Sequence, residues 1–214
     1  GKGGPAPTLA RTVVLEGARG TRPGVGVPGR FDHFAYDPAT GRLFVAALEN
    51  GSLEVLDLDK GTRVRGITGL SRPQGVAIVS AGPCVAVACG GDGRLHIYDT
   101  RTLERREVVD VGPDADNVRY DPAADAVFVS YGSRQGGAIA VFHARTWTRL
   151  RDIRFPSRPE SFQLDPAGTR LFANLPGGLR ATRDGSVAVA DRNTGRLLAE
   201  VPLPGLARNY PMAY

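Results

Sequence analysis

Two interleaved sets of apolar positions recur every 42 to 50 residues, each repeat carries four short strand-like runs, and turn residues are abundant. Together these predict an all-β chain, a β-propeller of four-stranded antiparallel blades. The first set, Phe34, Val76, Val118, Phe162 and Met212, steps by 42, 42, 44 and 50 residues. The second, Val55, Ile97, Val141 and Val189, steps by 42, 44 and 48, and each member is followed two residues on by a turn-starting side chain: Asp57, Asp99, His143 or Asp191. Two registers that keep one period define a repeat far better than either alone. The 28 Gly and 16 Pro suit many turns rather than long helices, and the 42% hydrophobic content is enough for a sizeable core.

Residues 1–30 read as a flexible Gly/Pro-rich segment holding one outer-type strand at 11–16. The first full unit spans 31–70. In it the run His33–Tyr36 is followed by Asp37-Pro-Ala-Thr-Gly41, which supplies the capping carboxylate, fixed φ and positive φ of a tight turn. Leu43–Leu48 is apolar on both alternating faces, as suits a strand covered on two sides. Asn50-Gly51 is a strong hairpin signal leading into Leu53–Leu58. Asp57-Leu-Asp59-Lys-Gly61 has the opening residues of a calcium loop but no later glutamate, and it stands where the next hairpin turn belongs. The last run, Thr62–Ile67, carries Arg63, Val64 and Arg65 in alternation, the pattern of a half-solvated outer strand. Units at 71–112, 113–155 and 156–205 repeat this plan, and 206–214 supplies the first strand of a further blade. Second strands are then expected to bury Phe44, Val45, Val85, Val87, Phe128, Val129, Leu171 and Phe172.

The 27 Lys and Arg are scattered among 22 Asp and Glu, so the net charge of +5 forms no basic block and a nucleic-acid partner is disfavoured. No run of 18 apolar residues is present, so no membrane span is expected. Cys84 and Cys89 lie five apart on one strand, point to opposite faces and cannot bridge each other, and both read as small buried apolar residues. His96 and His143 have no second histidine at metal-binding spacing, and Trp147 reads as an outer-strand aromatic shielding the blade edge. No GxSxG, HExxH, Gly-rich phosphate loop or CxxCH motif occurs.

The repeat lacks the Gly-His and Trp-Asp pairing of WD40 blades and the double glycine of kelch blades. The segments GRFDHFAYDPATGRLFVAA (29–47), RPQGVAIV (72–79), DADNVRYDP (114–122), RPESFQLDPAGTRLF (158–172) and LPGLARNYPMA (203–213) resemble the YVTN-repeat or YncE-like seven-bladed propeller family. That resemblance implies a periplasmic or secreted location. It also implies that about four blades are an incomplete portion of a seven-bladed ring, with the strand at 11–16 belonging to a closing blade.

Residues just before each first strand should lie at one mouth of the central channel. They are polar: Asp32 and His33; Arg72 and Gln74; Asp114, Asp116 and Asn117; Arg158, Glu160 and Ser161; Arg208, Asn209 and Tyr210. The candidate ligand-binding set is Asp32, His33, Gln74, Asp116, Asn117, Glu160, Ser161 and Asn209. Within it His33, Asp116, Asn117 and Glu160 offer the imidazole, carboxylate and amide donors that a divalent cation such as calcium would take. The same polarity is what a water-filled channel wall needs, and arginines before four of the first strands suit ties between blades. The leading expectation is a non-enzymatic binding or scaffold propeller for a small ligand or partner protein. The alternative is a metal-dependent, lactonase-like hydrolase in which Asp116 or Glu160 acts as base. A third class, a partner in quinone- or haem-linked redox chemistry, finds no haem-attachment motif here.

Overall fold

The computed structural model describes residues 12–13, 29–133, 136–176, 184–206 and 212. Among these every regular element is a strand, and no helix is present that is long and apolar enough to cross a membrane. Blade 1 contains β1 (Phe31–Asp37), β2 (Arg42–Ala47), β3 (Ser52–Asp57) and β4 (Thr62–Thr68). Blade 2 contains β5 (Pro73–Val79), β6 (Cys84–Cys89), β7 (Arg94–Asp99) and β8 (Arg105–Asp110). Blade 3 contains β9 (Val118–Asp121), β10 (Ala126–Ser133), β11 (Gly136–His143) and β12 (Arg149–Phe155). Blade 4 contains β13 (Phe162–Leu164), β14 (Arg170–Leu175), β15 (Gly185–Asp191) and β16 (Leu197–Leu203). Each blade is one four-stranded antiparallel sheet in sequence order, as the repeat predicts. Of the strand expected at 11–16, Thr12 and Val13 are described and are not in a strand; the remainder lies outside the described residues, as do 177–183 and most of 207–214.

The same device closes the third hairpin of every blade. The side chain of Asp57 accepts the Lys60 amide at 2.9 Å, Asp99 accepts Arg101 and Thr102 at 2.7 and 2.8 Å, and Asp191 accepts Asn193 and Thr194 at 3.0 and 2.7 Å. In blade 3 the His143 Nδ1 replaces the carboxylate, accepting from Arg145 at 3.2 Å. The chain then passes through a left-handed residue, Gly61, Leu103, Trp147 or Gly195, with φ between 56° and 76°. Trp147 is therefore not an outer-strand aromatic: it occupies the turn position of Gly61, half-buried against the core between blades 2 and 3. The calcium-loop-like Asp57–Gly61 segment is one of these turns.

The core consists of three apolar layers, one at each junction between consecutive blades. Phe44, Leu53 and Val55 of blade 1 meet Val85, Val87 and Cys89 of blade 2. Ala86, Leu95 and Ile97 meet Val127, Val129 and Phe142, and Phe128, Ile139 and Ile153 meet Phe162, Leu171 and Ala173. The two cysteines point into different layers, and burial pushes their thiols up, to about 11 for Cys84 and about 12 for Cys89. Phe44, Val85, Val87, Phe128, Val129 and Leu171 are buried as expected, whereas Val45 and Phe172 are only half-buried. Val45 pairs with Phe34 on the face of blade 1 away from blade 2, where Phe34 is 68% and Tyr36 50% exposed. Phe172 lies on the face of blade 4 away from blade 3, with the Arg170 guanidinium 5.4 Å above its ring.

Arginines tie the blades at their turns. Arg42 donates to the carbonyls of Thr100 and Arg101 at 2.7 and 2.8 Å, Arg145 to Ala81 at 2.8 Å, and Arg149 to Val111 at 2.7 Å. Arg192 pairs with Asp121 of blade 3 at 3.1 Å. Much of the basic excess is thus used in joining blades.

Candidate functional site

The first strands of neighbouring blades run side by side, so residues that precede them gather at one mouth. In β1 and β5 the pairing skips Asp32-His33 and Gln74-Gly75, an irregularity that turns these side chains out of the pleat. In blades 3 and 4 the same step is bonded to the second strand: the Asp116 amide donates to Ser130 O at 2.8 Å, and the Glu160 amide to Asn174 O at 3.0 Å. Register places Asp32, Gln74, Asp116 and Glu160 at equivalent positions, with His33, Gly75, Asn117 and Ser161 one residue on.

Arg158 lies at the centre of the mouth. Its Nη1 is 2.7 Å from Asp114 Oδ2, and its Nη2 is 3.0 Å from Asp116 Oδ2 and 3.3 Å from Glu160 Oε2. Gln74 Nε2 donates to Asp114 Oδ1 at 3.3 Å and to Ala115 O at 3.2 Å, while Arg72 stands 3.7 Å from Asp114. Asn117 Nδ2 donates to Glu160 O at 2.6 Å, leaving its Oδ1 buried and without a partner. Asn174 Nδ2 donates to Ser161 Oγ at 3.1 Å, which turns Ser161 inward toward β14. On blade 1, His33 Nδ1 is 3.0 Å from Asp32 Oδ1, and Arg30 is 3.3 Å from the other carboxylate oxygen.

Gly75 permits this closeness: a Cβ there would lie 2.1 Å from Asp116 O, so the backbones of blades 2 and 3 abut. Asp116 is 6% exposed. Burial raises its pKa to about 6, with Arg158 opposing and Glu160 reinforcing the rise. His33 and Asp32 also act on it from blade 1, past the bare Gly75. Burial would raise Asp32, but the hydrogen bond and charge of His33, with Arg30, hold it below the ordinary carboxylate range. The same bond to Asp32 raises His33 against its own burial. Burial depresses Arg119, which faces Asp116 and whose Nε donates to Gln163 Oε1 at 3.4 Å.

The structure therefore brings Gln74, Asp116, Asn117 and Glu160 together, keeps Asp32 and His33 as a separate pair that acts on Asp116 electrostatically, and turns Ser161 away. Asn209 lies outside the described residues. Of the cation-ligand set His33, Asp116, Asn117 and Glu160, the two carboxylates converge on the Arg158 guanidinium, which holds the place a divalent cation would take between them. The sequence places Asp114 and Arg158 at the mouth but outside the candidate binding set, and it gives no sign of Arg119; the recurrence of arginine before the first strands is the signal that marks Arg158.

No protein-family model and no curated protein matches the chain. Solved structures do. Hydrazine synthase of Kuenenia stuttgartiensis is 18% identical with a TM-score of 0.72, over 80% of this chain and 48% of that one. A dihydro-heme d1 dehydrogenase, NirN, is 16% identical with a TM-score of 0.63, over 84% and 39%. A 6-phosphogluconolactonase-like protein of Bacteroides uniformis is 15% identical with a TM-score of 0.62, over 82% and 55%. The chain spans about half or less of the length of these structures, and at such identities the likeness shows the fold: a β-propeller.

Proposed function

We propose that the protein is a non-enzymatic propeller module that binds a small polar ligand or a segment of a partner protein at the channel mouth. The observation that carries this is Asn117 Oδ1, a buried acceptor left without a partner beside a network of Gln74, Asp114, Asp116, Arg158 and Glu160 in which the buried Arg158 Nε is a donor also left without one. A buried unpaired acceptor costs about 1–3 kcal/mol, which a donor on a bound molecule would recover. The charges around it are neutralised locally, as in a recognition surface that reads hydrogen-bond geometry. The resemblance of the repeat segments to the YVTN or YncE-like family supports the binding role, and a periplasmic or secreted location goes with it.

The test is a thermal-shift screen of polar metabolites and short peptides against the full chain and Asn117→Leu. Ligands that raise the melting temperature of the parent should leave Asn117→Leu unmoved. A hit list identical for both proteins would remove the mouth from the proposal.

A second reading, a lactonase-like hydrolase, draws on the buried Asp116 carboxyl near 6, suited to a general base at neutral pH, and on the 6-phosphogluconolactonase-like neighbour. With Arg158 between the carboxylates the residues do not fit a resident calcium ion, so this reading rests on Asp116 with Arg158 facing a developing anion. Lactone hydrolysis abolished by Asp116→Asn would establish it in place of the binding module.

A further inference from the structure

We propose that Cys89, Asp92 and His96 of blade 2 form a zinc site at the rim of the mouth, separate from the Arg158 network and independent of the binding role assigned to it. The Cys89 sulfur, a carboxylate oxygen of Asp92 and a ring nitrogen of His96 all lie within 4.8 Å of one another. Tetrahedral zinc, with bonds of about 2.0–2.3 Å to such atoms, holds its donors roughly 3.3–3.8 Å apart, so closure brings donors together by at most about 1.5 Å. His96 Nε2 already stands 3.0 Å from Asp92 Oδ2, and the Arg94 amide holds the other carboxylate oxygen at 3.1 Å. A thiolate, an imidazole and a carboxylate are a donor set that selects zinc over magnesium or calcium. The three protein donors leave a fourth position for water or an anion.

Three further features support the assignment. The His96 side chain is nine-tenths buried, and while its Nε2 faces Asp92 its Nδ1 has no partner, so the ring buries an unsatisfied polar atom where an apolar residue would carry none. The loop between β6 and β7 is fixed before any ion arrives: the amides of Gly90 and Gly91 donate to Arg72 O and Ser71 O at 3.0 and 2.9 Å, and that of Gly93 to Cys89 O at 2.9 Å. Side chains at Gly90 and Gly91 would meet Gln74 Nε2 at 2.2 Å and Ser71 Oγ at 2.1 Å. The backbone of Ser71 also lies against the Cys89 sulfur, an outer contact of the kind that steadies a metal-bound thiolate.

The repeat itself does not require these residues. Register gives Ala47 and Glu54 as the counterparts of Cys89 and His96 in blade 1, Tyr131 and Ala140 in blade 3, and Leu175 and Ala188 in blade 4. Where blade 1 buries a charge at the same place, it adds a cation of its own, Arg63, 2.7 Å from Glu54. Asp92 also borders a groove of about 380 Å³ with Asp110 and Asp114, which opens the carboxylate end of the site to solvent. Binding exchanges the Cys89 thiol proton for the ion, the proton going to solvent and the imidazole binding as the neutral base.

The test is cobalt(II) titration of the reduced full chain, followed by displacement with zinc. A near-ultraviolet thiolate-to-cobalt charge-transfer band should saturate at one ion per chain and vanish on adding zinc. It should be absent from Cys89→Ala and retained in Cys84→Ala, the other buried thiol, with both variants confirmed as folded by circular dichroism. Asp92→Asn, at an exposed loop position, should keep the fold and weaken cobalt binding about tenfold or more. A parent chain without the band, a band that survives Cys89→Ala, or cobalt affinity unchanged by Asp92→Asn overturns the site.

Discussion

Replacing Asp116 with asparagine should make the protein more stable at neutral pH and remove much of its pH dependence below 6. Asp116 is buried, and its pKa of about 6 in the folded protein lies above the value of 3.8 taken for the exposed carboxyl. Between those two values the folded chain holds a proton that the unfolded chain has released, so this group's contribution to stability falls as pH rises. By pH 7 the loss reaches up to about 3 kcal/mol, at about 1.4 kcal/mol per unit. His33 is shifted in the same sense, since its raised pKa gives stability below 6.5 that is lost at higher pH. Asp32 is lowered and gives up its contribution only as pH falls below 3.8, outside the window. The Asp116→Asn side chain would keep the shape and still accept from Arg158. The assay is urea unfolding at intervals from pH 4 to 7.5, followed by the fluorescence of Trp147, the single tryptophan, which is half-buried against the core. The variant should match the parent near pH 4 and exceed it by up to about 3 kcal/mol at pH 7. Parallel profiles for the two proteins would refute a buried, proton-holding carboxyl at the mouth.

Arg158→Met removes the counter-charge of Asp114, Asp116 and Glu160, so it should cost roughly 3–5 kcal/mol at pH 7 and push the Asp116 midpoint above 6; unchanged stability would mean that the guanidinium does not hold the network. Phe44→Ala empties the layer between blades 1 and 2 and should cost about 3–5 kcal/mol in the same assay, with a loss under about 1 kcal/mol counting against tight packing there. Gly75→Ala forces a methyl against Asp116 O and should cost about 1–3 kcal/mol; a neutral result would show that blades 2 and 3 can part at the mouth.

Blade plan was legible because strand alternation and turn chemistry are local. The run Leu53–Leu58 became Ser52–Asp57, and the polar residue two places after each third-strand marker proved to be the turn acceptor in all four blades, with the imidazole of His143 serving where the others use Asp. Burial on both faces was legible only for strands flanked by blades on two sides. Val45 and Phe172 have the composition of sandwiched residues, yet composition says nothing of what lies beyond the first and fourth blades. The row of polar residues before the first strands was also visible. Their grouping was not, because the Arg158 guanidinium reaches Asp114 and Asp116 more than 40 positions upstream in the chain, a distance that no motif spacing encodes. Cys89 and His96 seemed unrelated for a similar reason. Only the pairing of Cys89 with Arg94 sets His96 diagonally across the hairpin on the same face, with Asp92 in the turn between them.

The arginines that join the blades have a consequence for behaviour in salt. Most of the ties at the turns end on backbone carbonyls, those of Thr100, Arg101, Ala81 and Val111, and Arg192 alone among these ties ends on a carboxylate, that of Asp121. A guanidinium bonded to a carbonyl dipole at hydrogen-bond distance loses little when dissolved ions gather, because screening acts over about 8–10 Å between full charges and leaves short directional bonds nearly intact. Blade docking should therefore hold from dilute buffer to high ionic strength, while the pairs Arg94–Asp110 and Arg145–Asp125, exposed and carboxylate-bound, loosen without the blades separating.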